Sequence, residues 1–195
     1  MPIELGPISW ERMIRAVEKV RERLHRATAA LEAAGIPYAV IGGNAVASWV
    51  SRVDESLVRN TRDVDILLRR ADFERAKTAL ASAGFIHHQV LGVETFMDGP
   101  DGRPGDGVHL IFAGEIVRAG DREETPDVAQ SERDKLFQLV SLDGLVRMKL
   151  TAFRRKDQMH LIDLIHVGLV DASWISQLPD NLATRLQELL DNPEG

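Results

Sequence analysis

Trp10, Met13, Val17, Val20, Leu24, Ala27 and Leu31 succeed one another at alternating steps of three and four. That spacing predicts one long helix over residues 8–34 with a single apolar stripe. Ser9 stands where an N-cap belongs, and Gly35 followed by Pro37 supplies the stop. A coiled-coil seam would have the same period. The charged residues on the other faces favour a helix that packs on its own domain.

Beyond Gly35 the pattern shifts to short apolar runs. "PYAVIGG" reads as a buried strand ending at Gly42-Gly43, and "NAVASWVSR" as a helix starting near Gly43 or Asn44. Residues 54–61 are polar and read as a loop, and "RDVDILL" as a second strand. "ADFERAKTALASAG" is a helix closed by Gly84, and "FIHHQVLGVETFMD" has strand character. "GPDGRPGDG" must turn, "GVHLIFAG" is a further strand, and residues 115–134 read as mostly irregular. Helices are expected over 142–156, over 157–168 closed by Gly168, and over 180–191. This order predicts an α+β protein, α/β-like in sequence order, with a small mixed sheet, flanking helices and a helical C-terminal part. The expected division is an N-terminal helix packed on the core (1–35), a sheet domain (36–135) and a helical part (136–195).

Composition narrows the chemistry. The chain has 195 residues, 44% hydrophobic and 28% charged, which is ordinary for a soluble globular protein. No run is long and apolar enough for a membrane span, and "MPIELGPISWERMIR" has no secretory signal pattern. The absence of cysteine excludes disulfides, thiolate metal sites and cysteine nucleophiles, and fits the cytoplasm. A net charge of −6 argues against duplex DNA as the main partner.

Asp63 and Asp65 stand at i and i+2 of a predicted strand and so share a face, about 7 Å apart at Cα. Two like charges so placed call for a cation between them, and magnesium suits such carboxylates, completing its shell with water and phosphate. An exposed face of a half-solvated sheet is the plain alternative. Gly42-Gly43, at a strand end before a helix, would admit a phosphate to the backbone amides; a tight turn is its plain alternative. An anion site and a cation site in this order point to bound nucleotide.

"VIGGNAVASWV" followed by "TRDVDILL" resembles the signature of the polymerase-beta-type nucleotidyltransferase superfamily. The closer resemblance is to small bacterial members, including the nucleotidyltransferase-like toxins of abortive-infection systems. "LVRMKLTAFRRKDQMHLIDLI" is similar to their later helix, with Lys149, Arg154, Arg155 and Asp163 at matching places; the likeness spans roughly residues 36–168. It implies an enzyme that moves a nucleoside monophosphate from a nucleoside triphosphate to an acceptor hydroxyl, using two magnesium ions. The acceptor would be RNA, protein or a small molecule. By that resemblance Asp63 and Asp65 are metal ligands, Gly42, Gly43 and Asn44 cradle the triphosphate, and Lys149 and Arg154 offset its charge.

One departure stands out. The strand expected to carry a third carboxylate has His109 there, and Glu94, Asp98, Asp106 and Glu115 are the acids that could substitute. His160 also replaces an acid in the later helix. The alternative is therefore an impaired member acting as a nucleotide- or protein-binding module in a toxin–antitoxin or abortive-infection system. His160, Asp163 and His166 diverge around a helix too far to share one ion, and His87 and His88 point to opposite faces. "AFRRKD" is either a solvated helix end or a phosphate or RNA contact.

Overall fold

The computed structural model describes residues 9–192. Residues 1–8 and 193–195 lie outside the described residues. With them go the start of the expected 1–35 segment and 8–34 helix, most of the "MPIELGPISWERMIR" stretch, and the end of the 136–195 part. Helix α1 spans Trp10–Ala33 and ends where Gly35 takes φ +62°, the left-handed conformation that favours glycine. Ser9 occupies the N-cap, but its hydroxyl donates to the Glu11 carboxylate and caps no amide. The stripe is split along its length. Leu24, Ala27 and Leu31 are buried, while Trp10 and Met13 are 74% and 59% exposed.

Strand β1 (Tyr38–Ile41) leads directly into helix α2 (Gly42–Ser51), and β2 (Val64–Leu68) returns antiparallel to β1. After helix α3 (Phe73–Ser82), strands β3 (Phe85–Val90) and β4 (Val93–Asp98) form a hairpin, so the run read as strand-like is two strands. At the tip, Leu91 has φ 50° and is fully exposed. Strand β5 (Val108–Phe112) runs parallel to β2 and antiparallel to β4. Two three-residue strands, β6 (Ser131–Arg133) and β7 (Gln138–Val140), complete a sheet of order β3-β4-β5-β2-β1-β7-β6. Strand β6 lies in the segment expected to be irregular, 115–134, and β7 lies at the start of the part expected to be helical, 136–195.

Helices α4 (Leu142–Ala152), α5 (Arg155–His166) and α6 (Asp180–Asp191) follow. The break between α4 and α5 comes earlier than the residue pattern suggests. Phe153 adopts φ 44°, which ends α4, and at the start of α5 the Arg154 backbone N–H donates to Asp157 Oδ2 at 3.3 Å. In β2, Val64 and Ile66 are fully buried, whereas Asp65 is only partly so. The period of two puts Val64 and Ile66 on one face and Asp65 on the other, where its neighbour Leu67 is also fully buried. No helix among the described residues is long and apolar enough to cross a membrane.

Candidate active site

The register across three strands builds the site. Asp65 of β2 lies opposite His109 of β5, which lies opposite Thr95 of β4. Asp63 precedes β2 by one residue. Asp63, Asp65 and His109 each offer a ligand atom within 4.8 Å of the others. They line a cleft of about 730 Å³, together with Gly42, Lys149, Arg154 and Lys156.

The start of α2 fits against this acidic strand residue by residue. Gly42 has φ +68°, and a Cβ there would lie 2.0 Å from Asp65 Oδ2. A Cβ on Gly43 would lie 2.8 Å from Thr61 Oγ1. Asn44 Nδ2 donates to the Asp63 carbonyl at 2.8 Å. Gly42 faces the cleft, while Gly43 is buried and Asn44 borders a different cavity, near Arg21 and Phe137.

The charges are coupled. Thr61 Oγ1 donates to Asp63 Oδ1 at 2.5 Å, and Lys156 Nζ stands 3.6 Å from the same oxygen. Burial pushes the Asp63 carboxyl up, but Thr61, Lys156 and His109 outweigh it and hold the group below the ordinary carboxylate value. His109 Nε2 lies 2.8 Å from the Pro104 carbonyl, which can only accept, so Nε2 carries a proton. Nδ1 then faces Asp65 Oδ1 at 3.3 Å. The Asp65 carboxylate raises the imidazole above its ordinary value, against the opposing effect of burial.

The second wall comes from the α4–α5 corner. Lys149 is buried, and its ammonium bonds Asp157 Oδ1 at 3.0 Å. Arg154 Nε donates to Asp157 Oδ2 at 2.6 Å. Burial raises the Asp157 carboxyl, and Arg154 and Lys149 reverse that to leave it lowered. Asp163 lies away from the cleft, buried and paired with Arg59 at 2.7 Å. His160 is buried with Nδ1 unpartnered, and His166 is exposed.

The four acids that could have replaced a third carboxylate are all engaged elsewhere. Glu94 bonds His87 at 2.6 Å, and Asp98 holds Arg23 and Arg26. Asp106 takes Arg62, and Glu115 takes Arg70. Among the described residues, the acids and histidines that could together hold an ion are Asp63, Asp65 and His109. Thr61 has no signal of its own in the residue pattern, and Lys156 and Asp157 have one only as members of the basic run "AFRRKD". Lys156 and Asp157 sit in the "RRKD" run, whose direction depends on the break at Phe153.

The sequence family described as an uncharacterised nucleotidyltransferase matches residues 9–113. No curated protein is similar enough to the sequence to match. Solved structures of nucleotidyltransferase type are similar in fold. The solution structure of the antibiotic-resistance factor ANT(2'')-Ia is 12% identical at a TM-score of 0.55, over 90% of this chain and 93% of that one. The crystal structure of an antigenic nucleotidyltransferase-like protein from Paracoccidioides brasiliensis is 17% identical at a TM-score of 0.57, over 92% of this chain and 91% of that one.

Proposed function

The chain belongs to this family of uncharacterised nucleotidyltransferases, and on that premise we propose that it transfers a nucleoside monophosphate from a nucleoside triphosphate to an acceptor hydroxyl with a divalent cation, magnesium by preference. The observation that carries this reading is the meeting of Asp63, Asp65 and His109 within 4.8 Å in a cleft that also holds Lys149, Arg154 and Lys156.

The residues fit a hard divalent cation. Asp63 and Asp65 offer carboxylate oxygens, and among the described residues the lysine or arginine that pairs with Asp63 is Lys156, on a half-exposed side chain. Asp63 and Asp65 would hold the ion, which when bound would supply positive charge to offset that of the phosphates. Lys156 brings positive charge to the triphosphate, and Lys149 and Arg154, which share the Asp157 carboxylate, add the one net positive charge of that trio. Gly42 keeps the strand-to-helix corner free of a side chain, beside the first amides of α2, which have no acceptor within the helix. The acceptor oxygen forms a bond to the α-phosphorus, the bond to the bridging oxygen breaks, and pyrophosphate leaves. His109 takes the hydroxyl proton at Nδ1, because its Nε2–H is committed to the Pro104 carbonyl. The acceptor is a hydroxyl of an RNA, a protein or a small molecule, in the cytoplasm.

The test is pyrophosphate release and label transfer from each nucleoside triphosphate in the presence of magnesium, with pooled RNA, protein and small alcohols as acceptors. Turnover lost in both Asp63→Asn and Asp65→Asn supports the reading. Equal turnover in these variants and wild type overturns it.

The engagement of Glu94, Asp98, Asp106 and Glu115 with other partners favours a second reading. In it the chain binds nucleotide or a protein partner without turnover, within a toxin–antitoxin or abortive-infection pair. Saturable nucleotide binding without pyrophosphate release distinguishes it from the first.

A further inference from the structure

The Gly-Gly-Asn start of α2 and Thr61 contact the acidic strand more closely than a phosphate cradle requires. Gly42 meets Asp65, Gly43 meets Thr61, and Asn44 meets the Asp63 backbone. We propose that Thr61 is a positioning residue for Asp63, seated by the missing side chain of Gly43, and that it sets the carboxylate for cation binding. This rests on the cation site of the preceding section.

Three observations carry it. Thr61 Oγ1 donates to Asp63 Oδ1 at 2.5 Å, so one rotamer of Asp63 is selected by a hydroxyl two residues before it. Asn44 Nδ2 holds the Asp63 carbonyl at 2.8 Å, which fixes the backbone from which that carboxylate projects. A Cβ at position 43 would lie 2.8 Å from Thr61 Oγ1 and 2.9 Å from Thr61 Cβ, closer than real contacts allow. Any side chain there displaces Thr61. Gly43 lies within the helix span and has no positive φ, so its conformation does not demand glycine. On helix propensity alone, alanine is the better residue within a helix. The contact with Thr61 is what glycine accommodates.

The outward oxygen of a carboxylate fixed by a neighbouring hydroxyl is preset to meet a cation, because its orientation entropy has already been lost. Lys156 Nζ, 3.6 Å from the same carboxylate, is the positive charge that an incoming cation has to displace or face.

The experiment uses the full chain and Mn²⁺ alone, followed by the paramagnetic signal of the free ion. Thr61→Val is expected to weaken Mn²⁺ binding roughly tenfold. Thr61→Ser should stay within about threefold of wild type, because the hydroxyl is retained. Gly43→Ala should behave as Thr61→Val does, despite its better helix propensity. A readout in the metal-free protein accompanies this. Three-bond couplings of Asp63 should show one χ1 rotamer in wild type and Thr61→Ser, and averaging in Thr61→Val and Gly43→Ala. A single rotamer in Thr61→Val overturns the assignment, as does Mn²⁺ binding equal to wild type. If wild type binds no Mn²⁺, the cation site of the preceding section falls, and the couplings alone decide the role of Thr61.

Discussion

Lys156 Nζ stands 3.6 Å from Asp63 Oδ1, the one lysine or arginine among the described residues that pairs with either site aspartate. It reaches there from the first turn of α5, just past the corner at Phe153. Lys149, the more obvious candidate by its place in the helix, is instead buried against Asp157. Lys156→Met is expected to weaken nucleoside triphosphate binding about tenfold, the scale of a charge-assisted hydrogen bond. Its half-exposed side chain adds little to folding, so the melting temperature should stay within about 2 °C of wild type. Calorimetric nucleotide titration beside a thermal melt checks both.

Gly42 and Gly35 separate strain from site damage. Both have positive φ, +68° and +62°, but a Cβ meets Asp65 at the first and nothing within 4 Å at the second. Gly35→Ala should cost about 1 kcal/mol of stability and leave transfer unchanged. Gly42→Ala should cost more than that and also abolish cation binding. Denaturant melts with Mn²⁺ titration of both variants distinguish the two effects.

His109 bears on whether the site turns over. If Nδ1 takes the acceptor proton, His109→Gln should lower kcat by about 100-fold or more while nucleotide affinity moves little. His109→Asp should recover turnover with magnesium, since an oxygen donor suits that ion better than imidazole. Steady-state rates for both variants with Mg²⁺ and Mn²⁺ test this. A kcat unchanged in His109→Gln removes the histidine from the chemistry.

His160 gives a pH signature of folding. Burial first, and then the nearby Lys149 and Lys156, push its imidazole down from 6.5 to about 4. Between those values the unfolded chain takes up a proton that the folded chain refuses. Its contribution therefore destabilises the fold as pH falls from about 6.5 towards about 4, by up to roughly 1.4 kcal/mol per pH unit, and levels off below. His160→Leu should flatten that part of the stability curve. Urea melts at a series of pH values, compared with wild type, reveal the difference.

The site aspartates were legible because a strand's period of two is local, and Asp63, Asp65, Val64 and Ile66 carry it in four consecutive residues. The mixed sheet and flanking helices followed from the same periodicities. Thr61 was not legible, since its meaning comes from Gly43 eighteen residues earlier in the chain, and only packing brings them together. Glu94 and Thr95 show the same limit. One lies paired with His87 and the other in the row of Asp65 and His109, and the two-residue turn at Leu91-Gly92 decides which. Strands β6 and β7 have three residues each, too few for alternation to register. Trp10 and Met13 fit the stripe as well as Leu24 does, yet nothing in a helical period says where the partner surface ends.

The pairing of Asp65 with His109 across β2 and β5 has a genetic consequence. A histidine codon becomes an aspartate codon by a single change at its first base. An acid at position 109 would stand opposite Asp65 across the parallel strands β2 and β5. A population carrying this gene therefore samples the three-acid arrangement in one mutational step, with no reshaping of the sheet. Selection on that codon, in either direction, can proceed without crossing an unfolded intermediate.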